Sequence, residues 1–290
     1  MITGSIVALV TPMNEDGQVD WHALEQLVEW HIDQGTNAIV SMGTTGESAT
    51  FAIDEHVAVM QKTIDTAAGR VPVIAGTGAN STSEAIELTT AAANIGADAA
   101  LLVTPYYNKP TQHGLYLHHK AIAEACDIAQ ILYNVPGRTA CDMQAETVAE
   151  LALIENIIGI KEATGDIARG AKIRELCDAS FALYSGDDAT FLDLMEVGAV
   201  GNISVTANIA AKKMADICAL ALAGEFTEAQ QLNQSLLKLH DDLFVEANPI
   251  PVKWAMTQLQ QIKTGIRLPL TPLSSTYHSR VLSAIEAAGL

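Results

Sequence analysis

Basic residues are scarce in this chain. Sixteen Lys and Arg stand against 34 Asp and Glu over 290 residues, a formal net charge of -18. Nucleic-acid binding calls for a basic face, so this balance argues against it. No apolar run approaches the ~18 residues of a membrane span. Cysteine is sparse as well. Cys126, Cys141, Cys177 and Cys218 are widely spaced, with no C-x-x-C pair. That spacing argues against a disulfide framework or a zinc site, and leaves reduced, mostly buried thiols in a cytoplasmic protein. The first residues lack a basic segment and a cleavage signature, so no signal peptide is expected. No low-complexity linker divides the chain.

What is present is apolar residue, 49% of the total, enough to bury a large core and to exclude disorder. Short β-rich apolar runs recur at Ser5–Val10, Ala38–Met42, Val71–Gly76, Ala99–Val103, Ala129–Tyr133, Ile157–Lys161, Phe181–Ser185 and Ala199–Ser204. Helical-period segments fall between them, such as Asp20–Gln34, Asp54–Ala68, Ser81–Ile95 and Thr111–Ala125. Continuous apolar runs alternating with period-3.6 segments mark βαβ units and a parallel sheet. Eight repeats predict an α/β fold closed as a (β/α)8 TIM barrel. An open doubly wound sheet would need G-x-G-x-x-G. The nearest match, Gly76-Thr77-Gly78-Ala79-Asn80-Ser81, lacks the glycine that lets helix and strand pack closely.

After residue 205 the strands stop. Asn208–Ala223 closes the barrel, and Glu225–Phe244, Pro249–Gln261 and Ser274–Ala288 read as further helices, with Asn248 and Pro249 as N-cap and N1. The division expected is a catalytic barrel over 1–224 and a C-terminal helical extension over 225–290.

Barrel enzymes place their chemistry at the C-terminal ends of the strands. Lys161 closes the apolar run Ile157-Ile158-Gly159-Ile160 and should point into the mouth. Burial disfavours the charged ammonium, and a neutral amine can attack a carbonyl. The alternative is a solvated lysine, or one paired with Glu162. Thr44-Thr45 between Gly43 and Gly46 is either a backbone nest for a carboxylate or an ordinary βα turn. Tyr133 is either a proton relay beside Lys161 or a rim aromatic. Arg138, after Pro136-Gly137, is either a carboxylate clamp or a surface ion-pair partner. Of the adjacent Tyr106 and Tyr107, one can face the barrel and the other a partner chain. Gly186-Asp187-Asp188 has no second cluster to make a metal site, and His118-His119 reads as a solvated helical pair. No metal and no cofactor are assigned.

Gly43-Thr44-Thr45-Gly46-Glu47, Tyr133-Asn134-Val135-Pro136-Gly137-Arg138-Thr139 and Gly159-Ile160-Lys161-Glu162-Ala163 together resemble the dihydrodipicolinate synthase family of pyruvate-dependent class I aldolases. Glu246–Lys253 and Arg267–Leu270 resemble it too. The resemblance implies that Lys161 forms a Schiff base with pyruvate, whose enamine attacks L-aspartate 4-semialdehyde to give 4-hydroxy-tetrahydrodipicolinate for lysine and diaminopimelate biosynthesis. It implies a proton relay of Thr44, Tyr133 and Tyr107, the last supplied by a neighbouring subunit. Thr44 and Thr45 would hold the pyruvate carboxylate and Arg138 that of the semialdehyde, with Gly186 and Ile203 lining the pocket through their backbone. It further implies feedback inhibition by L-lysine at Ser48, Ala49, His56, Asn80, Glu84 and Tyr106, and a homotetramer built as a dimer of dimers. Position 53, often His in lysine-sensitive members, is Ile53. Rival readings are a sugar-acid lyase sharing Lys161 and Tyr133, separated by Arg138, and a catalytically silent barrel that senses a keto or amino acid.

Overall fold

The computed structural model describes residues 1–290. Eight parallel strands close in sequence order: β1 Gly4–Ala8, β2 Ala38–Ser41, β3 Val73–Gly76, β4 Ala99–Val103, β5 Gln130–Asn134, β6 Ile157–Glu162, β7 Ala182–Ser185 and β8 Gly201–Ser204. The ring is completed by β1 against β8, with Ile6 opposite Ile203.

Because strand side chains alternate between faces, each strand supplies two cores. Ile6, Ala8, Val40, Ile74, Leu101, Ile131, Tyr133, Tyr184 and Ile203 fill the barrel interior. Val7, Leu9, Ile39, Ala75, Leu132, Ile160 and Leu183 face outward into the layer shared with the helices. The same alternation explains why the strands read as unbroken apolar runs. It also assigns Lys161: β6 sets Lys161 beside Tyr133 of β5 and Tyr184 of β7. Both tyrosines belong to the interior, so Lys161 points inward and its neighbours Ile160 and Glu162 point outward.

The helices start where short polar side chains can cap them. Asp20 accepts from the Ala23 amide (3.1 Å), Thr111 from Gly114 (3.2 Å) and Asp166 from Arg169 (3.3 Å). The helix Gln112–Ala125 corrects one expectation. His118 and His119 are buried, because with Leu115 and Ile122 they occupy its core-facing stripe. His118 Nδ1 pairs with Thr82 Oγ1 at 2.9 Å, while His119 finds no partner for either ring nitrogen.

The extension departs from the expected helices at two points. The segment anticipated as one helix over 225–244 is broken into Phe226–Asn233 and Leu237–Asp242. Ser235 bonds back to the Leu232 carbonyl (3.2 Å) and Asn233 Oδ1 takes His240 Nε2 (2.9 Å). Such local side-chain bonds compete with the helical ladder. Asn248 does not cap the helix Ile250–Gln258, since its side chain is engaged elsewhere, as described below. The final helix is His278–Ala287. No helix of the chain is long and apolar enough to cross a membrane. The four thiols are unpaired, and all but Cys177 are fully buried.

Candidate active site

A cavity of about 220 Å³ opens at the C-terminal end of the barrel. Lys161, Tyr133, Thr44, Thr45, Arg138 and Gly186 all line it, so the ends of four strands, β2, β5, β6 and β7, bring six residues to one space. Lys161 is only 6% exposed. Its amine lies 4.3 Å from the Tyr133 ring centroid and makes no ion pair with any carboxylate. The alternative of a Lys161–Glu162 pair is thereby removed. Glu162 faces the other way and accepts from the Thr164 amide (2.8 Å) and from Asn134 Nδ2 (3.2 Å). Burial raises its pKa, against the opposing pull of Thr164, Asn134 and Arg169.

Gly186 earns its place by space. A Cβ there would stand 2.7 Å from Lys161 Cε and 2.7 Å from Ala163 Cβ, both far inside contact distance.

Thr44–Gly46 forms a single tight 3-10 turn, and Glu47 follows it in the left-handed region with φ 62. Thr11 Oγ1 donates to the Gly46 carbonyl (2.8 Å) and fixes the turn from below. From the other side come residues assigned no role in the site from sequence alone, although they stand in the segments Glu246–Lys253 and Arg267–Leu270 noted for their resemblance. Asn248 Nδ2 donates to Thr45 Oγ1 at 3.0 Å. Lys253, buried in the helix Ile250–Gln258, donates to Glu47 Oε1 and to the Thr11 carbonyl (3.0 Å). Glu47 Oε2 accepts from the Arg267 amide (3.0 Å). Arg267 continues outward in a bidentate pair with Glu55 at 2.6 and 2.7 Å. Burial lowers the Lys253 pKa, and the facing Glu47 carboxylate opposes that shift. Two buried charges that meet each other and further hydrogen bonds are satisfied, and removing one would strand the other. The visible signal was a lysine within the apolar run Ile250-Pro251-Val252-Lys253-Trp254.

Arg138 lies within the short helical turn Pro136–Thr139. Its Nη2 donates to the Asn248 carbonyl at 3.1 Å, and the side chain is otherwise exposed at the mouth. Asp187 also lines the cavity, with Oδ2 accepting from Thr190 Oγ1 at 2.7 Å. Asp188 is a buried structural anchor: it accepts from Asn202 Nδ2 (2.7 Å) and from the amides of Val205 and Thr206 (both 2.9 Å). Ile203 lies within the barrel interior and does not line the cavity; Val205, two residues on, does. Tyr107 is 89% exposed with φ 74 and lies outside its own chain's cavity.

A second cavity of about 480 Å³ adjoins the first, and Thr44, Val135, Arg138 and Asn248 line both. Ser48, Ala49, His56, Glu84 and Tyr106 line it, with Ile53, Phe51 and Leu88 as an apolar wall. Asn80 stands behind this set, its Nδ2 donating to the Tyr106 carbonyl at 3.2 Å. His56 is buried, not on a helix surface, and donates from Nε2 to the Gly76 carbonyl (2.8 Å). Its pKa is lowered by burial, with the Gly76 bond opposing. Burial, then the Glu84 charge, raises that of Tyr106.

Comparison with known proteins gives a uniform result. The model of the dihydrodipicolinate synthetase family matches residues 1–288. The chain is 59% identical to the 4-hydroxy-tetrahydrodipicolinate synthase of Cellvibrio japonicus and 60% identical to that of Marinobacter nauticus, over the full length of both partners in each case. It superposes with a TM-score of 0.99 on the chloride-inhibited dihydrodipicolinate synthase of Acinetobacter baumannii complexed with pyruvate, at 58% identity, covering 100% of this chain and 99% of that one. The enzyme of Cyanidioschyzon merolae with lysine bound superposes at 0.97 and 40% identity, covering 100% and 99%. With the barrel and the full-length similarity in agreement, the chain belongs to the dihydrodipicolinate synthetase family of enzymes.

Proposed function

We propose that this enzyme condenses pyruvate with L-aspartate 4-semialdehyde to give 4-hydroxy-tetrahydrodipicolinate, in lysine and diaminopimelate biosynthesis. The observation that carries this reading is the Lys161 amine, buried in the mouth and free of any ion pair. An amine so placed is open to attack on a keto carbon. Attack by Nζ and loss of water give a Schiff base, and loss of a methyl proton gives the enamine. The enamine carbon then adds to the aldehyde. The amine of that substrate closes the ring on the imine carbon and releases Lys161.

Thr44 and Tyr133 are the proton carriers within reach of this cavity, joined by Tyr107 from a neighbouring subunit. The outward projection of Tyr107 supports that origin. Thr45 and the 44–46 turn hold the pyruvate carboxylate, and Arg138 that of the semialdehyde. In a chain of net charge -18, two anionic substrates must be drawn by these local groups, because the overall field repels them. Residues 1–224 act as the catalytic barrel and 225–290 as the extension that braces it, in a homotetramer arranged as a dimer of dimers. The four unpaired thiols support a cytoplasmic setting.

The larger cavity we assign to inhibition by L-lysine. Glu84 offers a carboxylate for an ammonium, while Ser48 and Asn80 offer polar partners. The lysine-bound C. merolae relative supports the assignment.

The test begins with borohydride reduction in the presence of pyruvate, followed by intact and peptide mass analysis. One reduced pyruvyl group on Lys161 is expected. A protein that gains no mass, or gains it on another lysine, overturns the proposal. A coupled assay with aspartate semialdehyde, titrated with L-lysine, completes the test.

A further inference from the structure

Asn248 reaches the site from the extension and is 5% exposed. It is tied into the binding machinery twice: its Nδ2 donates to Thr45 Oγ1 (3.0 Å), and its backbone carbonyl accepts from Arg138 Nη2 (3.1 Å). Its third polar atom, Oδ1, is buried with no partner at all. Buried acceptors are almost always hydrogen-bonded, and an orphan beside a binding cavity calls for an explanation.

The chemistry of the second substrate supplies one. Pyruvate carries no N–H group. L-Aspartate 4-semialdehyde carries an α-ammonium on the same carbon as its carboxylate. If Arg138 takes that carboxylate, the group that reads the ammonium must stand beside Arg138. Asn248 is the residue Arg138 touches, it lines the same cavity, and it has an acceptor to spare. Asp187 is the only carboxylate lining the cavity, and one of its oxygens is already bonded to Thr190.

We infer that Asn248 Oδ1 accepts a hydrogen bond from the α-ammonium of the aldehyde substrate, making Asn248 the residue that selects an amino aldehyde over its des-amino counterpart. The inference rests on the proposed condensation and goes beyond it. A site built to bond a polar substrate group rejects the analogue lacking that group, because its own buried partner is then left empty.

The experiment compares two aldehydes that share the carboxylate and the aldehyde: L-aspartate 4-semialdehyde as substrate and succinic semialdehyde as competitor. Using their ratio cancels any effect that travels through Thr45, which serves the pyruvate common to both measurements, or through Arg138, which both aldehydes need alike. Asn248→Leu is expected to lower kcat/KM for the amino aldehyde about 10- to 100-fold, the worth of one hydrogen bond to a charged group. The inhibition constant of succinic semialdehyde should change far less. Asn248→Asp, which keeps an acceptor, should keep the discrimination. Circular dichroism checks that both variants fold. Equal weakening of the two aldehydes would reduce Asn248 to a brace for Arg138 and Thr45 and overturn the inference alone. So would discrimination that survives Asn248→Leu and vanishes in Asp187→Asn. Failure of the wild type to trap pyruvate would instead bring down the condensation, and this inference with it.

Discussion

Substituting Gly186 by alanine probes how tightly Lys161 is held. The new methyl would lie 2.7 Å from Lys161 Cε, 3.0 Å from Lys161 Cγ and 2.7 Å from Ala163 Cβ. Carbon atoms settle at about 3.5–4.0 Å, so roughly 1 Å must be found. Ala163 can yield only with its backbone, whose amide is bonded to the Asn134 carbonyl at 3.0 Å. The Lys161 side chain is therefore the part that moves. The backbone at Gly186 is not left-handed, so contact, not torsional strain, is what the variant adds. Overpacking of this kind costs about 1–3 kcal/mol in stability. A misplacement of ~1 Å at the reacting atom costs on the order of 10²-fold in rate. Two measurements separate these effects: the rate of borohydride-trapped adduct at saturating pyruvate, and urea unfolding followed by fluorescence. A Gly186→Ala protein that traps pyruvate at the wild-type rate would show that the amine is not confined by this glycine, and the argument for the position would be wrong.

Lys253→Met should cost about 3–5 kcal/mol, because it leaves the Glu47 carboxylate buried without its cation; adding Glu47→Gln should restore part of that loss, and urea unfolding of both variants checks it. Acid should weaken the fold through its buried histidines. Burial lowers His31 to about 3, His118 to about 4 and His119 well below its ordinary value. Below about pH 6.5 the unfolded chain therefore binds protons that the native state refuses, so stability falls as pH drops through that point and on toward the folded values. Each such histidine contributes about 1.4 kcal/mol per pH unit in that window. His119→Phe should flatten the pH dependence of unfolding between about pH 6 and 5 by that amount; an unchanged slope would count against the burial argument.

The barrel was readable because its strands are buried on both faces and its helices on one, so two periods alternate along the chain. Lys161 was readable for the same reason, as a charged residue closing an apolar run. Thr44, Thr45, Tyr133 and Arg138 were placed by knowing that strand ends carry the chemistry. Asn248 reads as a helix cap and Lys253 only as part of a family-like segment; their contacts with the site escaped, since their partners Thr45 and Glu47 lie 203 and 206 residues away and no local pattern encodes such a meeting. His118 and His119 were misjudged by residue type, although their spacing from Leu115 and Ile122 already marked the inward stripe. The break near Ser235 arose from side-chain bonds that periodicity does not register.

The clasp between the extension and the 44–47 turn has a consequence for how the enzyme becomes active. During synthesis, residues 1–224 emerge with every strand and Lys161, yet Glu47 would wait without its cation and Thr45 without its amide. Only when residues 225–290 arrive can Asn248, Lys253 and Arg267 complete the bonds of that turn. A unit trimmed to the ring of strands alone would thus keep the Lys161 amine and lose the contacts that fix the 44–47 turn beside it.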